Sequence, residues 1–232
     1  MANINSQNVS KAEEALQLAY NDLISFGKLF LPDDFMRSET PFFHYEISDA
    51  IDDKNVKQTA IIVPRGHGKT VLTKASIIKD FVFATKENFL FYAWVSATQK
   101  LSVGNMDYIK YHLENNDSNL VTAVVYPAIE PHTGRLRVNG TPVHYDSFIN
   151  NLLNKYAKSK KDKKEFAWKV ITYKALIDEK TPLWEGWFPY SKIQEKKRFY
   201  ADSGQPQKFY QEYMMEVQSE EDAIWRREHI RY

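Results

Sequence analysis

Six consecutive residues, Arg65-Gly66-His67-Gly68-Lys69-Thr70, have the types and spacing to hold a phosphate. Glycines let the main chain approach an anion closely and adopt conformations closed to other residues. The lysine supplies a charge for the β- and γ-phosphates, and the threonine hydroxyl is a ligand for Mg²⁺. Amides at the start of a following helix point at the same anion, with the positive end of the helix dipole behind them. The flanks fit: Ala60-Ile61-Ile62-Val63 is an apolar run of buried-strand type, and Val71 to Lys79 has helical spacing. Strand, loop and helix in that order is the context the motif requires. The full pattern G-x-x-x-x-G-K-[ST] has glycine where this chain has Val63, so only its Gly-Lys-Thr core is present. A bare Gly-Lys-Thr also occurs as a surface turn opening an ordinary helix.

The rest of the chain must position that loop. Its 232 residues allow one sizeable α/β domain and a modest appendage. Charge is balanced, with 31 Lys and Arg against 30 Asp and Glu, so any contact with nucleic acid has to come from a local patch. Cysteine is absent, which excludes disulfides, thiolate zinc sites and cysteine catalysis and fits a reducing cytoplasm. The apolar run Phe89 to Val95 is too short to span a bilayer, and Met1 to Gln7 does not read as a signal, so a soluble intracellular protein is expected.

In chain order, residues 1–9 are polar and expected to fray. Ser10 and Glu13 form a capping box, and the apolar spacing after it predicts one helix from about residue 11 to Phe26-Gly27. Leu29 to Phe35 breaks it, and a helix is expected from about Pro41 to Asp52-Asp53. The loop strand is read as Thr59 to Pro64, its helix as Lys69 to about Phe83, and a second buried strand as Phe89 to Val95. Ser96 to Gln99 opens a helix to Asn115-Asn116, and Leu120 to Ile129 reads equally as helix or strand. Pro131 to Gly134 is a turn, Arg135 to Asn139 a short strand, and Asp146 to Tyr156 an amphipathic helix. The basic run Lys155 to Lys164 has the composition to neutralise phosphates, although most such runs are solvated loops. Trp168 to Tyr173 is a strand, Leu183 to Pro189 an aromatic loop, and Tyr190 to Tyr200 and Pro206 to Met215 are helical.

Pro64-Arg65-Gly66-His67-Gly68-Lys69-Thr70 resembles the deviant Walker A loop of the large terminase subunits, ATPases that package DNA into the heads of tailed bacteriophages. Gly140-Thr141-Pro142-Val143-His144 is similar to the family's turn that couples γ-phosphate state to movement, and Pro41-Phe42-Phe43-His44-Tyr45-Glu46 to its adenine-side segment. The alternative for Phe42, Phe43 and Tyr45 is plain packing of a helix on a sheet. The resemblance implies an α/β, P-loop NTPase-like fold with a mainly parallel sheet flanked by helices and an N-terminal helical segment. Residues 1–55 would be that helical, adenine-side segment, 56–218 the ATPase core, and 219–232 a tail toward an absent nuclease domain. ATP and Mg²⁺ are the implied cofactors. Arg65, Gly66, His67, Gly68, Lys69, Thr70, His44 and Tyr45 would bind nucleotide, with Thr70 on Mg²⁺. Arg65, Lys69 and Thr141 would be catalytic, Arg65 as a cis arginine and Thr141 as the sensor of hydrolysis. Double-stranded DNA, the portal, the small terminase subunit and further copies of the chain in a ring are the implied partners, with no membrane, in the host cytoplasm.

One part of that machinery is missing from the expected place. Such an ATPase needs an apolar strand ending in paired acids, the first for Mg²⁺ and the next for water. Between Val95 and Arg135 only Glu130 follows an apolar run, and Pro127 makes that a poor central strand. Ala175-Leu176-Ile177-Asp178-Glu179 has the right look but comes after the Gly-Thr-Pro turn, where an acidic turn closing a strand is the plainer reading. The family's nuclease carboxylates have no counterpart either, since Glu220, Glu221, Asp222 and Glu228 read as a solvated tail. The alternative function is therefore a non-hydrolysing nucleotide-binding remnant or assembly module of a packaging machine. A small P-loop kinase would need an acceptor site and an arginine-bearing lid, and neither is visible.

Overall fold

The computed structural model describes residues 2–53, 55–84, 92–94, 96, 98–115, 136–142 and 147–217. The chain divides into two units, one of residues 1–55 and 70–135 and the other of 56–69 and 136–232, so it passes from one to the other at Lys69-Thr70.

The first unit is helical among its described residues: α1 (Ala2–Asn21), α2 (Leu23–Phe30), α3 (Pro32–Phe35), α4 (Phe42–Asp52), α5 (Lys69–Val82, all but its first residue) and α6 (Gln99–Asn115). The single helix expected from residue 11 to Gly27 is two. Asp22 leaves helical geometry at φ −133° and ψ 125° and accepts a hydrogen bond from the Ser25 amide at 2.6 Å, so it ends α1 and caps α2. The expected fraying of residues 1–9 and the capping box at Ser10 are corrected as well, because α1 runs through Ser10 from Ala2. Leu23, Phe26, Phe43, Ile47, Leu72 and Ile78 are buried in the unit's interior. Polar pairs hold its edges: the Lys79 ammonium donates to Asp52 at 2.6 Å, the Tyr108 hydroxyl donates to Asp34, and the Lys74 ammonium sits 3.8 Å from the centre of the Tyr108 ring.

The second unit carries β1 (Gln58–Ile62), β2 (Leu136–Gly140), α7 (Phe148–Lys161), β3 (Lys169–Thr172), α8 (Tyr190–Asp202) and α9 (Pro206–Tyr213). Its strands form an all-parallel sheet in the order β2-β1-β3. The central strand is the apolar run before the glycines, and Ala60, Ile61 and Ile62 are wholly buried, as a strand covered on both faces requires. Leu152 of α7 packs with Ala60 and Ile62, and Trp168, Val170 and Ile149 close around them. A separate aromatic cluster of Phe188, Ile193, Phe209 and Tyr213 with Ala175 fastens α8 and α9 to the segment after β3.

Other expectations are altered in detail. Ser147 caps α7 through the Asn150 amide at 3.3 Å, and the helix continues to Lys161, so the first lysines of the basic run are helical rather than a loop after the helix. Asp178 caps a turn, accepting from the Lys180 and Thr181 amides at 2.9 and 2.8 Å. The expected strand at Phe89 to Val95 lies largely outside the described residues, and Tyr92, Ala93 and Trp94 are not in a strand. Leu120 to Ile129, Glu130, Pro131 to Gly134, Val143, His144 and the tail from 218 fall outside them altogether. No helix among the described residues is long and apolar enough to cross a membrane.

Candidate anion site at the end of the central strand

β1 ends at Ile62, which pairs with Gly140 of β2 on one side and Thr172 of β3 on the other. The chain then turns through Val63 to Gly68 into α5. Thr141 therefore leaves the sheet at the level where the loop begins, at the carboxyl ends of parallel strands, where ligand sites of α/β sheets form. A methyl group at Gly140 would overlap Ile149 Cδ1, so the end of that side chain would have to shift to admit one.

The loop takes the conformations its glycines permit. Gly66 and Gly68 have φ of 81° and 79°, in the left-handed region. A methyl group on Gly66 would find only ordinary contact, with Phe188 at 3.7 Å, so the cost of a side chain there is in the backbone. Gly66→Ala is expected to lose about 1–2 kcal/mol in urea denaturation, with no cavity or clash to add to it. A loss under about 0.3 kcal/mol would mean that this positive φ is not maintained in solution.

His67 is wholly buried, with its ring 5.1 Å from Phe188 and 6.2 Å from Trp184. Its Nδ1 lies 3.1 Å from the Arg65 carbonyl, which can only accept, so Nδ1 carries the proton. The imidazole thus braces the loop from beneath. Lys69 turns back over the same loop, its ammonium donating to the carbonyls of Val63 and Pro64, both at 3.3 Å. Burial and, after it, the Arg65 charge lower its pKa, Glu212 partly offsets them, and the net value is about 8. A half-buried cation beside a glycine loop is a group that an anion would stabilise.

Arg65 is attached to α9. Its amide donates to the Glu212 carbonyl at 3.0 Å, and Nη1 reaches both Glu212 carboxylate oxygens at 3.0 and 3.1 Å. Tyr200 of α8 donates its hydroxyl to Glu212 Oε2 at 2.7 Å, and burial together with that hydrogen bond raises the phenol's pKa. The structure thus gathers Arg65, Gly66, His67, Gly68 and Lys69 in one loop, with Thr141 at its root. Thr70 follows as the second residue of α5. His44 and Tyr45 lie on α4 in the other unit. His44 is buried with its ring 4.5 Å from that of Phe43, while Tyr45 is exposed. Phe43 is core and Phe42 is exposed, so the aromatic segment divides between packing and surface.

Sequence reasoning missed Glu212, Tyr200 and the rings of Trp184 and Phe188. Nothing in the spacing of Phe209-Tyr210-Gln211-Glu212-Tyr213 links it to a loop so far upstream. Among the described residues no group of three or more His, Cys, Asp or Glu is placed to hold a metal ion. No protein-family model matches the chain, and no curated protein matches it.

Proposed function

We propose that this chain is an ATP-binding motor domain of the large-terminase kind, a P-loop ATPase that packages double-stranded DNA into a phage capsid. The observation that carries the reading is the loop itself: two glycines at positive φ between a central parallel strand and a helix start, with the Lys69 ammonium folded back onto the Val63 and Pro64 carbonyls that open it. Those residues suit a triphosphate. In this reading Lys69 meets the phosphates, the Thr70 hydroxyl is offered to Mg²⁺, and Arg65 takes up charge at the γ-phosphate. Thr141 reports the phosphate's presence to β2. ATP with Mg²⁺ supplies the phosphoryl group and the divalent charge. Work on DNA would take place in a ring of copies on the portal, with the small terminase subunit, in the host cytoplasm.

A second reading, a nucleotide-binding module that does not hydrolyse, is favoured by Asp178. Its Oδ1 accepts from both the Lys180 and Thr181 amides of its own turn, which lowers its pKa. The carboxylate thus serves as the cap of an exposed turn, the plainer role for it than a strand-end metal ligand. ATP turnover with and without double-stranded DNA separates the two. A motor turns over ATP faster with DNA and loses this in Lys69→Ala, whereas a module is stabilised against heat by ATP and turns none over. Neither turnover nor stabilisation would remove both readings.

A further inference from the structure

The pair between Arg65 and Glu212 is asymmetric. The Glu212 side chain is 13% exposed and is fixed by Tyr200, while the Arg65 side chain is 67% exposed. The carboxylate is the stationary partner and the guanidinium the one with room to move. Both contacts are made by Nη1, at 3.0 and 3.1 Å, rather than by two nitrogens in the side-by-side fork that makes such pairing strongest. A guanidinium meets carboxylate and phosphate oxygens with the same geometry, so whatever occupies it with one competes with the other.

We infer that Glu212 stands in for the terminal phosphate of the nucleotide, holding Arg65 until a nucleotide with a γ-phosphate binds and takes it over. This deepens the nucleotide reading and rests on it. The carboxylate works against a triphosphate twice, by occupying Arg65 and by placing negative charge beside the loop. A diphosphate does not need Arg65 and is opposed only by the second effect. Glu212 is therefore a positioning residue that sets how strongly the loop prefers ATP over ADP. Its backbone carbonyl, which accepts from the Arg65 amide, keeps the loop on α9 whichever way the side chains turn.

Glu212→Gln tests this, since the amide keeps its shape and an oxygen for Tyr200 but loses its charge. Calorimetric titration of the full chain with Mg²⁺ and either ADP or the β,γ-imido analogue of ATP gives the ratio of affinities. That ratio is expected to shift toward the triphosphate by at least about fivefold. The same substitution in an Arg65→Gln chain is expected to leave the ratio within about twofold, because the group being competed for is gone. Glu212→Ala gives the same comparison should the amide variant fail to fold. Triphosphate binding seen only once Glu212 is replaced would support the inference. Wild-type binding that requires Lys69 but whose ratio does not move in Glu212→Gln would overturn the inference and leave the nucleotide reading standing. No binding to wild type or any variant would overturn both.

Discussion

Replacing Lys69 with alanine is expected to weaken ATP binding by about a hundredfold or more, without unfolding the protein. A charged hydrogen bond is worth about 1.5–3 kcal/mol, and this ammonium has more than one phosphate oxygen to meet in a partly desolvated loop. The stability side has the opposite sign. In the folded protein the lysine's pKa is lowered from 10.5 to about 8, so the folded state holds that proton less tightly than the unfolded chain. Lys69 therefore opposes folding most below about pH 8, and the penalty fades as pH rises toward 10.5. Without nucleotide, the melting temperature of Lys69→Ala relative to wild type should fall as pH rises from about 7 toward 10, because only wild type sheds this penalty. The same shift sets the pH dependence of binding, because the ammonium loses its proton as pH rises through about 8. The wild-type Kd for ATP is expected to be nearly level up to pH 7.5 and then to rise toward pH 9, by up to about tenfold per pH unit. That rise should vanish in Lys69→Ala. Binding equal in wild type and variant would show that the loop is an ordinary turn.

The loop was legible because its signals are local. An apolar run, two glycines, a lysine and an apolar helix lie within some twenty residues, and each demands its conformation from its own chemistry. The short strand ending at Gly140 was legible for the same reason, although only its register against β1 places Thr141 level with the loop. What could not be read is what depends on distant contacts. Asp22 looks like any polar residue in a helical stretch until its backbone leaves the helix and its side chain caps the next one. Lys158, Lys160 and Lys161 look like a solvated loop, yet charged residues with long side chains are good helix formers and stand in the last turn of α7, where the dipole favours them. Glu212 is the clearest case. It is one acid among thirty, and its meaning comes from a strand order and two helices that bring it to Arg65 across 147 residues of chain.

Phe209→Ala is expected to cost about 3–5 kcal/mol, the largest stability loss among these substitutions. The ring is 3% exposed, stacks on Tyr213 at 5.5 Å, and Tyr213 stacks in turn on Phe188 at 5.7 Å. Removing it leaves a cavity whose walls, Ala175, Phe188, Ile193 and Tyr213, belong to separate segments held by this cluster. Relaxation is limited because the Ala175 amide is bound to the Tyr213 carbonyl at 2.7 Å and the Leu183 amide to the Ala175 carbonyl at 2.8 Å. In a thermal scan of the 232-residue chain the transition should fall by roughly 6–20 °C. Phe148→Ala, removing a ring that is 58% exposed, is the comparison and should cost far less. A loss below about 1 kcal/mol for Phe209→Ala would sink the assignment of this cluster as the unit's second core. The consequence reaches the loop, because Phe188 lies 5.1 Å from the His67 ring beneath it and Glu212 sits on the same short helix as Phe209. Weakened nucleotide binding in Phe209→Ala, at a temperature where the variant is still folded, would show that the loop takes its shape from the aromatic cluster as well as from its glycines.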